Sequence, residues 1–317
     1  MRRLFFVPQF PAVLRYQEFW YEEFPKKLSE KFDVIVLGKS YFNNYDTIMS
    51  KIRIQLRLED FTPVTESLRF ETCQILEFLK YEILDNDIIF VTDLSFQESF
   101  ISQFYYRNVK NAFAFCHGTS KNKYDFFRKT KQSKWMAETA HSKLFKKIFV
   151  GSNYHKEKLG WNNIEVIGLP KNPYIVKYDV PKTQDIISVA RDCVQKITRR
   201  IENKIKNEIT EIIRKKVDTW EEYSKHLSAS KILFISSKED TFNYTLLDAL
   251  TCDCIPVAPK RLCFIEILPD ELLYENDNEA CEIVNKILNN EITLPIRLKN
   301  QNLVDNFYNN LIYFLGG

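Results

Sequence analysis

The chain predicts an α/β protein built from two parallel, doubly wound sheets. Three observations carry this. Apolar runs of strand length alternate with helically spaced segments along all 317 residues. Residues 231–257 compress strand, loop, helix and strand into one unit. A stretch with Pro170, Pro173 and Pro181 in or beside it, Lys171 to Lys182, divides the chain near its middle.

Taken in order, LFFVPQF (4–10) reads as the first strand, Tyr16 to Glu30 as a helix and FDVIVLG (32–38) as the second strand. Residues 65–84 have helical spacing, and DIIFVTD (87–93), AFAFCHG (112–118), KIFVGSN (147–153) and IEVIGLP (164–170) follow as strands. Beyond the proline-bearing linker, ISVAR opens another strand near residue 187, and the unit 231–257 supplies Ile232 to Ile235, a helix over Tyr244 to Cys252, and Ile255 to Ala258. Residues 301–317 read as a closing helix. Parallel strands joined by helices imply right-handed crossovers, and ligands of such sheets sit beyond the carboxyl ends of the strands. The loop Ser236 to Thr241 is therefore a candidate site, bracketed by Asp240 and Asp248.

Asp240-Thr-Phe-Asn-Tyr-Thr-Leu-Leu-Asp248-Ala resembles the acidic pair E-x-F-G-x-x-x-x-E-A of retaining glycosyltransferases with the GT-B fold (family 4-like), with both acids shortened. ISVARDCVQK (187–196) is similar to that family's strand followed by Arg-x-x-x-x-Lys, and FIEIL (264–268) to its Pro-Glu-hydrophobic element. The resemblance covers most of residues 185–290. It implies two Rossmann-like domains facing a cleft: an acceptor-binding domain (1–175), a nucleotide-sugar-binding domain (176–300) and a helix (301–317) returning to the first domain. It places diphosphate binding on Arg191 and Lys196, donor-sugar contact on Asp240 and ribose binding on Asp248, beside Phe242, Asn243 and Tyr244. His117, ending a strand in AFCHGTS, resembles the family histidine that faces the donor sugar. The implied chemistry is metal-independent hexosyl or pentosyl transfer with retention, from a UDP-sugar type of donor and with no cofactor.

Physical chemistry supports the same set of residues. A departing nucleoside diphosphate gains negative charge, which an ammonium, a guanidinium and the free N–H groups of a helix start can meet. Each residue also has a plainer role: Arg191 and Lys196 on a solvated helix, Asp240 as a helix N-cap, Asp248 as an exposed helix carboxylate, His117 in a turn. Residues 169–315 contain no glycine, where the family has it at the positions of Asn243 and Asp253. Asn and Asp are the residues next best suited to left-handed turns. Neither a G-x-G-x-x-G fingerprint nor a P-loop is present.

Further candidates lie in the first half. Asp93 ends a strand and is placed to act as a base towards an acceptor hydroxyl if the reaction inverts; its plainer role is an N-cap. In the first loop, Arg15, Gln17 and Glu18 are candidates for acceptor recognition. Residues 121–147 carry nine Lys/Arg against Asp125 and Glu138, a local charge of +7 within a chain of only +3, interleaved with Tyr124, Phe126, Phe127 and Trp135. Lys121, Lys123, Arg128 and Lys129 head that run, which suits a phosphate backbone with stacked bases, an anionic lipid or a phosphorylated glycan. The opening FVPQFPAVLRYQEFWYEEFP, with CHGTSKNKYDFF and TAHSKLFKKIFVGSNYHKEKLGW, resembles compact phage-encoded glycosyltransferases, which implies a hydroxymethylated pyrimidine in DNA as acceptor. The alternatives are a surface-glycan or lipid acceptor, and a non-catalytic nucleic-acid-binding protein on a degenerate GT-B scaffold.

Composition fits a folded protein with two cores: 45% of residues are apolar, and no run reaches the length of a membrane span. Seven cysteines without a C-x-x-C pair suit a reducing, cytoplasmic setting, with Cys252 and Cys254 as buried apolar residues rather than ligands. Asp85-Asn-Asp87 spells the D-x-D of metal-dependent GT-A enzymes but precedes its strand, where a metal-binding pair should follow one.

Overall fold

The computed structural model describes residues 1–43, 62–107, 109–124, 131–189, 196–214, 217–293 and 297–316. Its strands are β1 (Arg2–Val7), β2 (Phe32–Val36), β3 (Ile88–Val91), β4 (Ala112–Phe115), β5 (Lys147–Val150), β6 (Ile164–Val166), β7 (Gln184–Ile187), β8 (Ile212–Ile213), β9 (Ser230–Phe234), β10 (Ile255–Pro259) and β11 (Leu273–Tyr274). They form a six-stranded sheet in the order β2-β1-β3-β4-β5-β6 and a five-stranded sheet in the order β11-β10-β9-β7-β8. Every pairing is parallel. β3, β4 and β10 are buried along their whole length, as expected for strands covered by helices on both faces.

The helices are α1 (Tyr16–Glu22), α2 (Phe24–Leu28), α3 (Lys39–Asn43), α4 (Thr62–Phe78), α5 (Glu98–Ser102), α6 (Lys131–Ser142), α7 (Asn153–Leu159), α8 (Arg199–Glu208), α9 (Trp220–Ser228), α10 (Tyr244–Thr251), α11 (Phe264–Ile267), α12 (Asp277–Leu288), α13 (Gln301–Asp305) and α14 (Phe307–Leu315). The helix expected over 16–30 is broken at Glu23, and Pro25 stands in the first turn of α2, where its missing N–H costs nothing. The closing helix is likewise split, at Asn306. The segment 167–183 has neither helix nor strand. Within it Gly168 holds φ +79°, and a Cβ there would stand 2.6 Å from the carbonyl oxygen of Leu303. Only glycine lets the chain pass α13 so closely.

α14 packs on the first sheet although it follows the second. Phe307 meets Phe24, Trp20 and Phe115 at ring separations of 5.6, 6.1 and 6.2 Å, and Phe314 meets Phe149 at 5.7 Å.

In each sheet the strand order reverses once, between β1 and β3 in the first and between β7 and β9 in the second. A crevice opens beyond the carboxyl ends of the strands at such a switch point, because the flanking helices leave on opposite faces. The two switch points position everything that follows.

Candidate functional site

At the second switch point, Lys196 follows β7 and the loop Ile235 to Asn243 follows β9. Lys196 Nζ donates to Asp240 Oδ1 at 2.5 Å, and Asn243 Nδ2 donates to Asp240 Oδ2 at 3.0 Å. Asp240 is 6% exposed, so both carboxylate oxygens are held in a partly desolvated place. Asn243, rather than Asp240, caps α10: its Oδ1 accepts from the N–H of Leu246 at 2.9 Å. Its φ is −139°, so this glycine-replacing position is extended, whereas Asp253 does take the left-handed conformation at φ +51°. Arg191 lies outside the described residues.

Asp248 is buried, not exposed on its helix. Tyr223 Oη donates to its Oδ2 at 3.2 Å, and burial pushes the carboxyl up to about 8. Phe242 packs its ring against Gly151, where a Cβ would meet it at 2.9 Å. Tyr244 reaches across to the first domain: its Oη accepts from Trp20 Nε1 at 2.9 Å and its ring stacks on Tyr16 at 5.2 Å. The side chains of Phe242 and Tyr244 therefore hold the two domains together, leaving the loop backbone and Asn243 at the start of α10.

At the first switch point Val7 pairs directly with Val91, Gln9 and Asp93 each stand two residues further on, and the Gln9 N–H donates to Thr92 Oγ1. His117 follows β4, next in the sheet. Its imidazole hydrogen-bonds to the Thr92 backbone, lies 4.2 Å from the Tyr16 ring and 4.8 Å from Trp20, and leaves Nε2 buried without a hydrogen-bond partner among the described residues. Burial, with His155 nearby, holds its pKa well below the ordinary value, so the ring is neutral. His155, in α7, is pushed down to about 3 by burial and by Lys158. Asp93 is fully buried; its Oδ1 accepts from the N–H of Ser95 at 2.9 Å, capping a tight turn instead of α5, whose N-cap is Gln97.

The two sites are brought together by bonds across the cleft. Thr241 Oγ1 donates to the His117 carbonyl at 2.6 Å, and Ser152 donates to the Thr241 carbonyl. Lys158 pairs with Glu239, and the Glu266 carboxylate accepts from the N–H groups of Asn153 and Tyr154 at 2.8 and 2.5 Å, capping α7 from the other domain. Glu18 is part of this clasp too, accepting from Trp220 Nε1 and the N–H of Leu14. Arg15 is exposed, and Gln17 has a buried Oε1 without a partner among the described residues.

The described part of the basic run does not form one patch. Lys121 and Lys123 leave the carboxyl end of β4 on the cleft side, with Nζ 4.9 Å above the Trp135 ring and 5.3 Å from Tyr124; Lys238 of the second domain approaches the same Tyr124 at 5.9 Å. Lys147 opens β5 at the opposite end of the sheet, beside Lys146, and pairs with Glu165. Lys134 pairs with Glu98. Charges adjacent in sequence are separated because α6 carries the chain the full depth of the sheet. Arg128 and Lys129 lie outside the described residues. Asp87 of the D-x-D is bound by Arg3 at 2.5 Å at the start of β3, away from the cleft.

No family model matches the chain. A tRNA-queuosine alpha-mannosyltransferase of Drosophila melanogaster is 33% identical over 90 residues, which span 28% of this chain and 22% of that protein. Among solved structures, a sucrose-phosphate synthase from Thermosynechococcus elongatus superposes with a TM-score of 0.65 at 13% identity, over 99% of this chain and 94% of its own. A UDP-forming trehalose-phosphate synthase from Burkholderia xenovorans gives 0.60 at 12% identity over 99% of both chains. TarM of S. aureus, in complex with fondaparinux, alpha-GlcNAc-glycerol and UDP, gives 0.52 at 13% identity over 77% of this chain and 55% of its own. With two parallel α/β sheets whose switch points meet across a cleft, and full-length superposition on these synthases, the chain has the GT-B fold.

Proposed function

We propose that the chain is a glycosyltransferase that moves a sugar from a nucleoside-diphosphate donor to a hydroxyl on a modified base of a nucleic acid. The observation that carries this reading is the Lys196–Asp240 pair at the second switch point, set opposite the neutral His117 of the first. The diphosphate lies at the start of α10, where free N–H groups and Lys196 meet the charge that grows as the glycosidic bond breaks. Asp240 orients sugar hydroxyls, Asp248 lies on the ribose side, and His117 faces the sugar with a lone pair. The acceptor oxygen bonds to the anomeric carbon as the carbon–phosphate oxygen bond breaks. Its proton passes to the departing phosphate oxygen, with retention and without a metal. Closure of the two domains excludes water and fixes the reacting atoms.

Lys123 and Lys238 around Tyr124, with Lys121 close by in the chain, support a nucleic-acid acceptor, since they combine phosphate neutralisation with an aromatic ring; Trp135 is already stacked on Trp161 at 5.3 Å. The partial match to an enzyme named for tRNA queuosine points the same way. The test incubates the protein with UDP- and GDP-sugars, with EDTA, and with DNA containing hydroxymethylcytosine or hydroxymethyluracil, with tRNA, or with neither, and measures free nucleoside diphosphate. DNA-stimulated release identifies a hydroxymethylpyrimidine acceptor and tRNA-stimulated release a tRNA base. Release that neither stimulates assigns a glycan or lipid acceptor. No release from any donor leaves a binding scaffold.

A further inference from the structure

Gln9 is two residues beyond β1 at the first switch point, and no sequence motif marks it. It is 8% exposed, yet its Oε1 is buried without a hydrogen-bond partner among the described residues. An unmet acceptor in such a place costs about 1–3 kcal/mol unless ordered water or a ligand supplies the donor. The residue is firmly placed: its backbone N–H donates to Thr92 Oγ1 at 2.9 Å, and the adjoining Pro8 carbonyl accepts from Gln74 and Gln97 at 2.8 and 2.9 Å. Thr92 also anchors the imidazole of His117 through its backbone. One residue thus holds two neighbouring groups, each with an acceptor atom that is buried and unmet.

Both acceptors follow the carboxyl ends of strands of the first sheet, and the His117 end touches the Asp240 loop through Thr241 and the His117 carbonyl. A ligand between them must offer donors on its first-domain side and hydroxyls to Asp240 on the other. A sugar ring does both, being O–H donors all round, whereas a phosphate offers only acceptors. Resting on the donor-site reading above, we propose that Gln9 is a specificity-determining residue that accepts a hydrogen bond from a hydroxyl of the transferred sugar, beside His117 Nε2.

The test measures binding by calorimetry of UDP-glucose and GDP-mannose against UDP and GDP, for the unmodified protein and for Gln9→Met, which keeps the side-chain length and removes the amide. The expected result is a loss of ~10- to 100-fold in affinity for the sugar nucleotide that binds, with affinity for its nucleoside diphosphate changed less than about twofold. An equal loss for both ligands, or no loss, overturns the assignment of Gln9 while leaving the donor site standing. Failure of the unmodified protein to bind any of the four overturns both readings. If Gln9→Met is not folded by its thermal transition, Gln9→Ser, which withdraws the amide without adding bulk, is judged by the same criteria.

Discussion

The Asp240 carboxylate takes hydrogen bonds on both oxygens, from Lys196 and Asn243, and this fixes what its replacement should do. Asp240→Asn keeps the shape but removes the charge that holds Lys196, so donor turnover should fall about 100-fold or more, measured as kcat/KM for nucleoside diphosphate release. Near-normal turnover would dismiss Asp240 from the chemistry. Asp248 makes a different, pH-dependent prediction. Its carboxyl is raised in the folded protein from the usual carboxylate range to about 8, so the folded state holds a proton that the unfolded state releases above about 4. Its contribution to stability is fully present below about 4 and is lost as pH rises through about 8, on the order of 1 kcal/mol per pH unit. Asp248→Asn cannot ionise, and its stability in denaturant relative to the unmodified protein should therefore improve steadily from pH 5 to pH 8. A pH-independent difference between the two would refute the buried, neutral state.

Two glycines test how closely the elements are packed. Gly160 ends α7 at φ +70° with no side-chain atom near, its closest neighbour being the Glu157 carbonyl at 4.0 Å. Gly168 combines φ +79° with a Leu303 carbonyl only 2.6 Å from any added Cβ. Gly160→Ala should cost about 1 kcal/mol for the left-handed backbone alone, and Gly168→Ala clearly more, because α13 must also move. Equal losses in urea denaturation would mean that the α13 crossing is not tightly held. Most of these elements were legible in sequence because strands buried on both faces are unbroken apolar runs. The uninterrupted helices α8, α9 and α12 were not read from the sequence, and the shortest strands carry no pattern to read. Ile212–Ile213 and Leu273–Tyr274 pair over two residues only, too few to show a period, and the helix after Tyr16 breaks at a junction that helical spacing runs straight through.

The two sheets are joined by packed apolar and aromatic side chains and by a set of polar contacts, and Glu266 is central among the polar ones. Its carboxylate caps α7 from the opposite domain, using the positive end of that helix as well as two N–H groups. Glu266→Ala should loosen the closed arrangement without touching either sheet. A larger radius of gyration by solution scattering is expected for the free protein, together with a raised KM for the donor, while each domain keeps its hydrogen-exchange protection. An unchanged radius would place the closing energy in the Trp20–Tyr244 and Glu18–Trp220 contacts instead.

The sequence alone determined the α/β class and the parallel pairing implied by alternation, because both rest on local apolar period; Lys196, Asp240, Asp248 and His117 were singled out by a resemblance carried on fixed spacing and strand-end position. Only the tertiary structure decided what those residues touch. Trp20 and Tyr244 are 224 positions apart and Glu266 and Asn153 are 113 apart, so no local pattern couples them. The nine basic residues of 121–147 form one run in sequence, but Lys121 and Lys123 part company in space from Lys146 and Lys147, because a helix returns the chain to the far end of the sheet before β5 begins. Gln9 carries no signal in the chain at all. Its meaning comes from burial, which takes away the water that would otherwise satisfy its amide.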